Sequence, residues 1–189
     1  MESVRLFAAI DLAPELQQKC AFLLEALSAI PSEVRWVPPA NLHLTLRFFG
    51  EMSGEKEPLV CDLLAKAAAR HGPFTLGLDG WGAFPSARNP RVLFVGLEAG
   101  KEPLRALAED IEKSAKVFNL GPVEGNFNAH VTLGRVKSPG GLERVLEKLT
   151  ALTPAPLGEM TVGSFCLYQS RLGAGAPLYT RRREFFLTK

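Results

Sequence analysis

Apolar residues recur along the chain in two rhythms, and the switches between them mark out the elements. Arg5–Leu12 is a short apolar run that predicts a buried strand. Pro14 then suits a helix start, and apolar spacing of helical period continues over Glu15–Ile30. Val34–Val37 reads as a short strand stopped by Pro38-Pro39, and Leu42–Phe49 as a strong strand ending at Gly50. A second helix is predicted over Glu55–His71, closed by Gly72-Pro73. Phe74–Leu78 and Arg91–Leu97 read as strands flanking a loop, Gly80–Pro90, rich in turn-forming residues. Glu102–Phe118 predicts a third helix, Phe127–Val136 a strand and Leu142–Leu149 a short helix. The tail from Glu159 to Leu187 reads as two strands around Gly173-Ala174-Gly175. No linker divides the chain, so residues 1–189 are expected to form one domain.

This order repeats itself. Arg5-Leu6-Phe7-Ala8-Ala9-Ile10 leads through a helix to His43, and Arg91-Val92-Leu93-Phe94-Val95-Gly96 leads through another to His130 at nearly the same spacing. Each half is a strand, a helix and a strand carrying His-x-Thr. Self-similarity at a fixed offset suggests duplication, and two copies make a pseudo-twofold pair. The expected fold is therefore α+β and bilobed. Two mostly antiparallel sheets would carry helices on the outside, with the motif strands facing each other across a central cleft.

Side chains alternate between the faces of a strand. His43, Thr45 and Arg47 then share one face, and Leu42, Leu44 and Leu46 share the other. The second motif repeats the pattern, with His130 and Thr132 opposite Ala129, Val131 and Leu133. Each strand has an apolar back that anchors it and a polar front.

Composition narrows the chemistry only a little. The 189 residues are 47% hydrophobic and 22% charged, ordinary for a globular domain. A formal net charge of +2 permits an anionic ligand, whereas a broad duplex-binding surface would usually carry more. Cys20, Cys61 and Cys166 are scattered, odd in number and lack CxxC spacing, which argues for buried thiols in a reducing compartment. The start at Met1-Glu2-Ser3 runs straight into strand pattern without a leader, and no apolar window is long enough to span a membrane. A cytoplasmic location is expected, with no obligate protein partner evident.

Two histidines facing one cleft suit phosphodiester hydrolysis. In-line displacement needs a base for the attacking water and an acid for the leaving oxygen, on opposite sides of phosphorus. Imidazole can serve as either near neutral pH. Hydroxyls of Thr45 and Thr132 can donate to the non-bridging oxygens. Neither histidine has a carboxylate or thiol at ligand spacing and threonine is a poor zinc ligand, so neither metal nor cofactor is expected. A phosphate-binding GxxxxGK[ST] loop is absent from the sequence. The third histidine, His71, ends a predicted helix, where the helix dipole accounts for it.

The contexts Trp36-Val37-Pro38-Pro39-Ala40-Asn41-Leu42-His43-Leu44-Thr45-Leu46-Arg47-Phe48-Phe49-Gly50 and Asn128-Ala129-His130-Val131-Thr132-Leu133-Gly134-Arg135 resemble the two-histidine phosphoesterase superfamily. Within it they are most similar to the RNA 2′,3′-cyclic phosphodiesterases, also called 2′-5′ RNA ligases. The resemblance implies a bilobed α+β fold and hydrolysis of RNA 2′,3′-cyclic phosphate ends to 2′-phosphates. It implies His43 as proton donor to the departing 3′ oxygen, His130 as proton acceptor from water, and Thr45 and Thr132 as phosphate ligands. The reverse reaction would be ATP-independent 2′-5′ joining of RNA. The residues alone do not divide the roles of the histidines.

Around this core, Arg47 and Arg135 are candidates for phosphate contact or for plain surface ion pairs. A bulge at Gly134 would turn Arg135 toward the cleft. Tyr168 and Ser170 are further substrate-binding candidates in the final hairpin. Trp36 and Tyr168 could stack on a base, while Phe48 reads as core. Arg181-Arg182-Arg183 reads as a solvated edge strand, with RNA backbone contact as the second option. Two other functions fit the pattern: a phosphodiesterase acting on a small cyclic nucleotide or ADP-ribose derivative, and a non-catalytic RNA-end-binding protein.

Overall fold

The computed structural model describes residues 3–122, 125–173 and 175–189. Ala174, at the centre of the expected Gly-rich turn, lies outside them, as do Met1 and Glu2. The elements are β1 (Ser3–Asp11), α1 (Pro14–Ser28), β2 (Val34–Trp36), β3 (His43–Ser53), α2 (Glu57–Ala68), β4 (Phe74–Phe84), β5 (Val92–Leu97), α3 (Lys101–Val117), β6 (Val131–Val136), α4 (Leu142–Leu152), β7 (Gly158–Val162), β8 (Ser164–Arg171) and β9 (Leu178–Phe186). The fold is α+β, as the rhythms predicted.

Every strand pairing is antiparallel, in the order β7-β4-β5-β6-β3-β1-β8-β9, with β2 added to β6. The two halves of this sheet meet at β6 and β3 through a single residue pair, Leu44 with Val131. Beyond that pair β6 takes β2 as its neighbour, and the half-exposed sheet face over the seam forms a groove. One core of buried Leu, Val, Ile, Ala and Phe runs behind both halves.

The helices are exchanged between the halves. α1 follows β1 but packs on α4 and β7, at the far edge of the other half, and α4 packs on β4. α3 follows β5 but packs on α2 and β3, and α2 packs on β9. Each crossover helix thus covers the half that did not give rise to it.

Three element predictions need correction. β4 does not stop at Leu78: it continues through a bulge at Gly80 to Phe84, so the expected loop shrinks to the segment around Pro85–Pro90. The turn-rich composition there marks a bulge and not the end of pairing. The tail holds three strands and not two, because the chain breaks at Gly163: β7 completes the β4 edge and β8 crosses to β1. The second motif strand begins only at Val131, leaving Phe127–His130 as an irregular approach. No helix among the described residues is long and apolar enough to cross a membrane.

Candidate active site

Leu44 and Val131 are both fully buried, so their neighbours along each strand face the groove. The antiparallel sense of the seam sets His43 toward Thr132 and Thr45 toward His130. The four motif side chains therefore form a small square at the one place where the halves touch. Each is half-buried, as a site open to a ligand requires.

The two histidines are held alike. His43 Nδ1 lies 2.7 Å from the carbonyl of Asn41, and His130 Nδ1 lies 2.7 Å from the carbonyl of Asn128. A carbonyl can only accept, so each Nδ1 carries the proton and donates. This fixes the tautomer and leaves Nε2 as the nitrogen that gains and loses a proton. His43 Nε2 sits 3.1 Å from Thr45 Oγ1. Aromatic rings set both planes: Phe7 and Tyr179 bracket His43, with centroids 5.1 and 5.4 Å away, and Phe84 and Phe94 bracket His130 at 5.0 and 5.2 Å.

The electrostatic surroundings differ. Burial lowers both imidazole pKa values below the usual 6.5, opposed in each case by the hydrogen bond to the backbone carbonyl. Beside His43 the Asp11 carboxylate favours the charged form, while the proximity of His130 disfavours it. Beside His130 the Arg135 guanidinium disfavours the charged form further. Asp11 is anchored by the Tyr168 hydroxyl, which donates across 2.6 and 2.8 Å to its two oxygens, and by Arg181 at 2.5 Å.

Strand parity places most of the predicted residues correctly but fails for Arg47. In β3 the register against β1 slips between Thr45 and Arg47: Ala9 faces Thr45 and Ala8 faces Arg47, so Leu46 is the extra residue of a bulge. Arg47 consequently turns into the protein, where it is 1% exposed. Its Nε donates to Glu112 on α3 at 2.6 Å, and its Nη atoms donate to the carbonyls of Leu120 and Pro122 at 2.9 Å. It is a buried structural arginine and does not reach the groove. Phe48, expected in the core, takes its place on the groove face, 42% exposed and 5.7 Å from Phe7.

β6 contains the same bulge. Leu93 pairs with Gly134 and Phe94 with Thr132, so Leu133 is extra. Gly134 takes the inward position that Arg47 has in β3. A Cβ there would lie 2.7 Å from the Trp36 ring and 2.8 Å from Val34, so only glycine fits. The expected bulge is present, and Arg135 is exposed on the groove side, close enough to influence both His130 and Tyr179.

The remaining candidates divide. Tyr168 is on the groove face, stacked 5.4 Å from Phe7 with its hydroxyl committed to Asp11. Ser170 follows on the same face by parity and is 9% exposed. Trp36 packs on the core side against Gly134, which removes it as a base-stacking residue. The arginine run is less solvated than expected: Arg181 holds Asp11, Arg182 pairs with Glu57 on α2, and Arg183 lies over Phe185. His71 contacts Asp110 away from the groove.

Sequence reasoning missed Asp11, Phe7, Phe94, Phe84 and Tyr179. A signal existed for two of them: Phe94 follows Phe7 by the same 87 residues that separate His130 from His43. Asp11 and Tyr179 lie in unremarkable contexts and meet His43 only through strand pairing, and Phe84, in a segment that shares the family resemblance, meets His130 the same way.

Antiparallel halves that meet at paired His-x-Thr segments define a two-histidine phosphoesterase architecture. Residues 5–174 match the family model of the 2′-5′ RNA ligase superfamily, and the chain belongs to that family. Relatives named RNA 2′,3′-cyclic phosphodiesterase include one from Thermus thermophilus, 35% identical with 97% of this chain and 90% of that protein covered. Another, from Archaeoglobus fulgidus, is 34% identical with 96% and 99% covered. Among solved structures, LigT of E. coli complexed with 3′-AMP superimposes with a TM-score of 0.77 at 32% identity, covering all of both chains.

Proposed function

We propose that this protein hydrolyses the 2′,3′-cyclic phosphate at an RNA end to a 2′-phosphate. The observation that carries the reading is the pair of imidazoles at the seam, each with its Nδ1 proton committed to a backbone carbonyl and its Nε2 left to exchange protons. Relatives that carry the cyclic phosphodiesterase name along nearly the whole chain support the substrate class.

In this reading His130 Nε2 takes a proton from water as the water oxygen attacks phosphorus. The bond from phosphorus to the 3′ oxygen breaks, and His43 Nε2 donates its proton to that oxygen. The neighbours support this division of roles. Burial lowers both imidazole pKa values; against it Asp11 favours the imidazolium at His43, as a donor needs, and Arg135 adds to it at His130, as an acceptor needs. Thr45 and Thr132 donate to the non-bridging oxygens, where charge builds in the transition state. With an RNA hydroxyl attacking in place of water, the same site forms a 2′-5′ linkage.

The residues 1–189 form one unit of two pseudo-symmetric halves. The matching bulges in β3 and β6, the matching histidine clamps and the exchanged helices support this. Three buried, unpaired cysteines suit a reducing compartment such as the cytoplasm.

The test is turnover of oligonucleotides ending in 2′,3′-cyclic phosphate with EDTA present. Activity should survive the chelator and fall by about a hundredfold or more in His43→Ala and in His130→Ala. Unchanged turnover in either variant would overturn the acid–base pair, and a 3′-phosphate product would overturn the choice of leaving oxygen.

A further inference from the structure

β2 is the shortest strand of the sheet, yet it sets one arginine directly against another. Its three residues pair with β6 so that Val34 faces Val136, Arg35 faces Arg135 and Trp36 faces Gly134. Val34, Trp36 and Val136 pack on the core side, which leaves Arg35 and Arg135 together on the groove side. Like charges directly opposite each other on a sheet repel and are destabilising. Among the described residues neither guanidinium has a carboxylate partner, whereas Arg181 on the same face is paired with Asp11. Two exposed, cross-strand cations with no counter-charge from the protein are arranged for an anion from elsewhere.

Their position says which anion. With Leu133 bulged, Arg135 stands two ladder positions beyond Thr132, opposite Val92 where Thr132 is opposite Phe94, about 7 Å along the strand. Arg35, opposite Arg135, is therefore displaced along the groove from the phosphate held at the seam. Arg35 also donates to the carbonyl of Gly175 in the β8–β9 connection, and Asn41 donates to Pro177 in the same segment at 2.8 Å. The Arg35 bond ties β2, on the β6 half, to the β8–β9 connection of the other half, and restricts the Arg35 side chain before any ligand binds.

We propose that Arg35 and Arg135 form a second phosphate subsite that receives the phosphodiester next to the terminal cyclic phosphate. It rests on the cyclic phosphodiesterase reading above and makes the enzyme selective for the end of a polynucleotide over a free cyclic mononucleotide. Guanidinium groups suit this task because their planar donors match the two oxygens of a phosphodiester. The formal net charge is only +2, so long-range attraction contributes little to the discrimination.

The experiment compares three substrates with the wild-type protein. One is a cyclic mononucleotide, one is a dinucleotide ending in 2′,3′-cyclic phosphate, and one is the same dinucleotide with its internal linkage replaced by an uncharged methylphosphonate. The charged dinucleotide should show a KM about tenfold below that of the methylphosphonate, the worth of a charge-assisted hydrogen bond. In Arg35→Gln the ratio of those two KM values should collapse toward one. The ratio is internal to each variant, so a general loss of activity does not alter it. The charged substrate should also lose its advantage as salt rises. Equal KM values for the two dinucleotides in the wild type would overturn the subsite while leaving the hydrolytic reading intact, as would a ratio unchanged in Arg35→Gln. If none of the three substrates is hydrolysed, the hydrolytic reading fails and the subsite falls with it.

Discussion

At the scale of single residues, the asymmetry between Asp11 and Arg135 is what distinguishes two otherwise equivalent histidines. Both pKa values are lowered from 6.5, so activity that needs a protonated His43 should already fall as pH rises toward 6.5, with the optimum on the acid side. In Asp11→Asn the His43 pKa drops further, because the carboxylate that favoured the imidazolium is gone, and the basic limb of kcat/KM should move to lower pH. In Arg135→Gln the His130 pKa rises, and the acidic limb should move to higher pH. A shift of the acidic limb in Asp11→Asn, or of the basic limb in Arg135→Gln, would contradict the assignment of donor and acceptor. The aromatic supports act by packing. A Cβ at Gly82 would run into the Phe94 ring, which braces His130, so Gly82→Ala should reduce kcat more than it reduces the unfolding midpoint. The His-x-Thr pairs were legible in the sequence because strand period alone puts His and Thr on one face. Asp11 was not legible, since its meeting with His43 depends on the β1–β3 register and the Tyr168–Arg181 clamp on β8 and β9.

At the scale of elements, the bulges in β3 and β6 decide which side chains see the groove. An extra residue after each motif reverses the parity, sending Arg47 and Gly134 inward and Phe48 and Arg135 outward. Alternation read along the sequence carries no mark of that slip, which is why Arg47 was placed on the wrong face and Phe48 in the core. The inward arginine is stable because Glu112 and three backbone carbonyls satisfy it. Glu112→Ala leaves the guanidinium buried without its counter-charge and should cost about 3–5 kcal/mol in urea unfolding. An Arg47→Met, Glu112→Leu pair should recover much of that loss, since a buried ion pair replaced by apolar groups of similar volume is often neutral. In β6 the inward position tolerates no side chain, and Gly134→Ala should cost about 1–3 kcal/mol through overpacking against Trp36 and Val34.

At the scale of the whole molecule, the exchange of α1 and α3 between the halves makes each dependent on the other. A fragment of either half would expose the apolar face that the partner's helix covers, so residues 1–87 and 88–189 produced separately should lack dispersed amide spectra. Mixed, they should recover them; a folded single fragment would refute one shared unit. The repeat of strand, helix and His-x-Thr strand was readable from sequence, because each copy writes its own local periodicity and the periodicities of strand and helix differ. Its helix exchange was not, since the apolar stripe of an amphipathic helix states that the helix is covered and not by which sheet. The tail shows the same limit: β7 and β8 are neighbours in sequence, but β7 is one edge of the sheet and β8 is next to the other, and only Gly163 marks the crossing. What the amino-acid order determined by itself was local: strand and helix periods, the apolar backs and polar fronts of two motifs, and the kind of chemistry two histidines and two threonines can perform. Tertiary structure alone decided the meeting of those motifs at one residue pair, the bulges that exchange Arg47 for Phe48, and the placing of Asp11 and Arg135 beside different histidines. Those outcomes are set by pairing between segments far apart in the chain, where register, charge and packing are properties of two strands together and of neither alone.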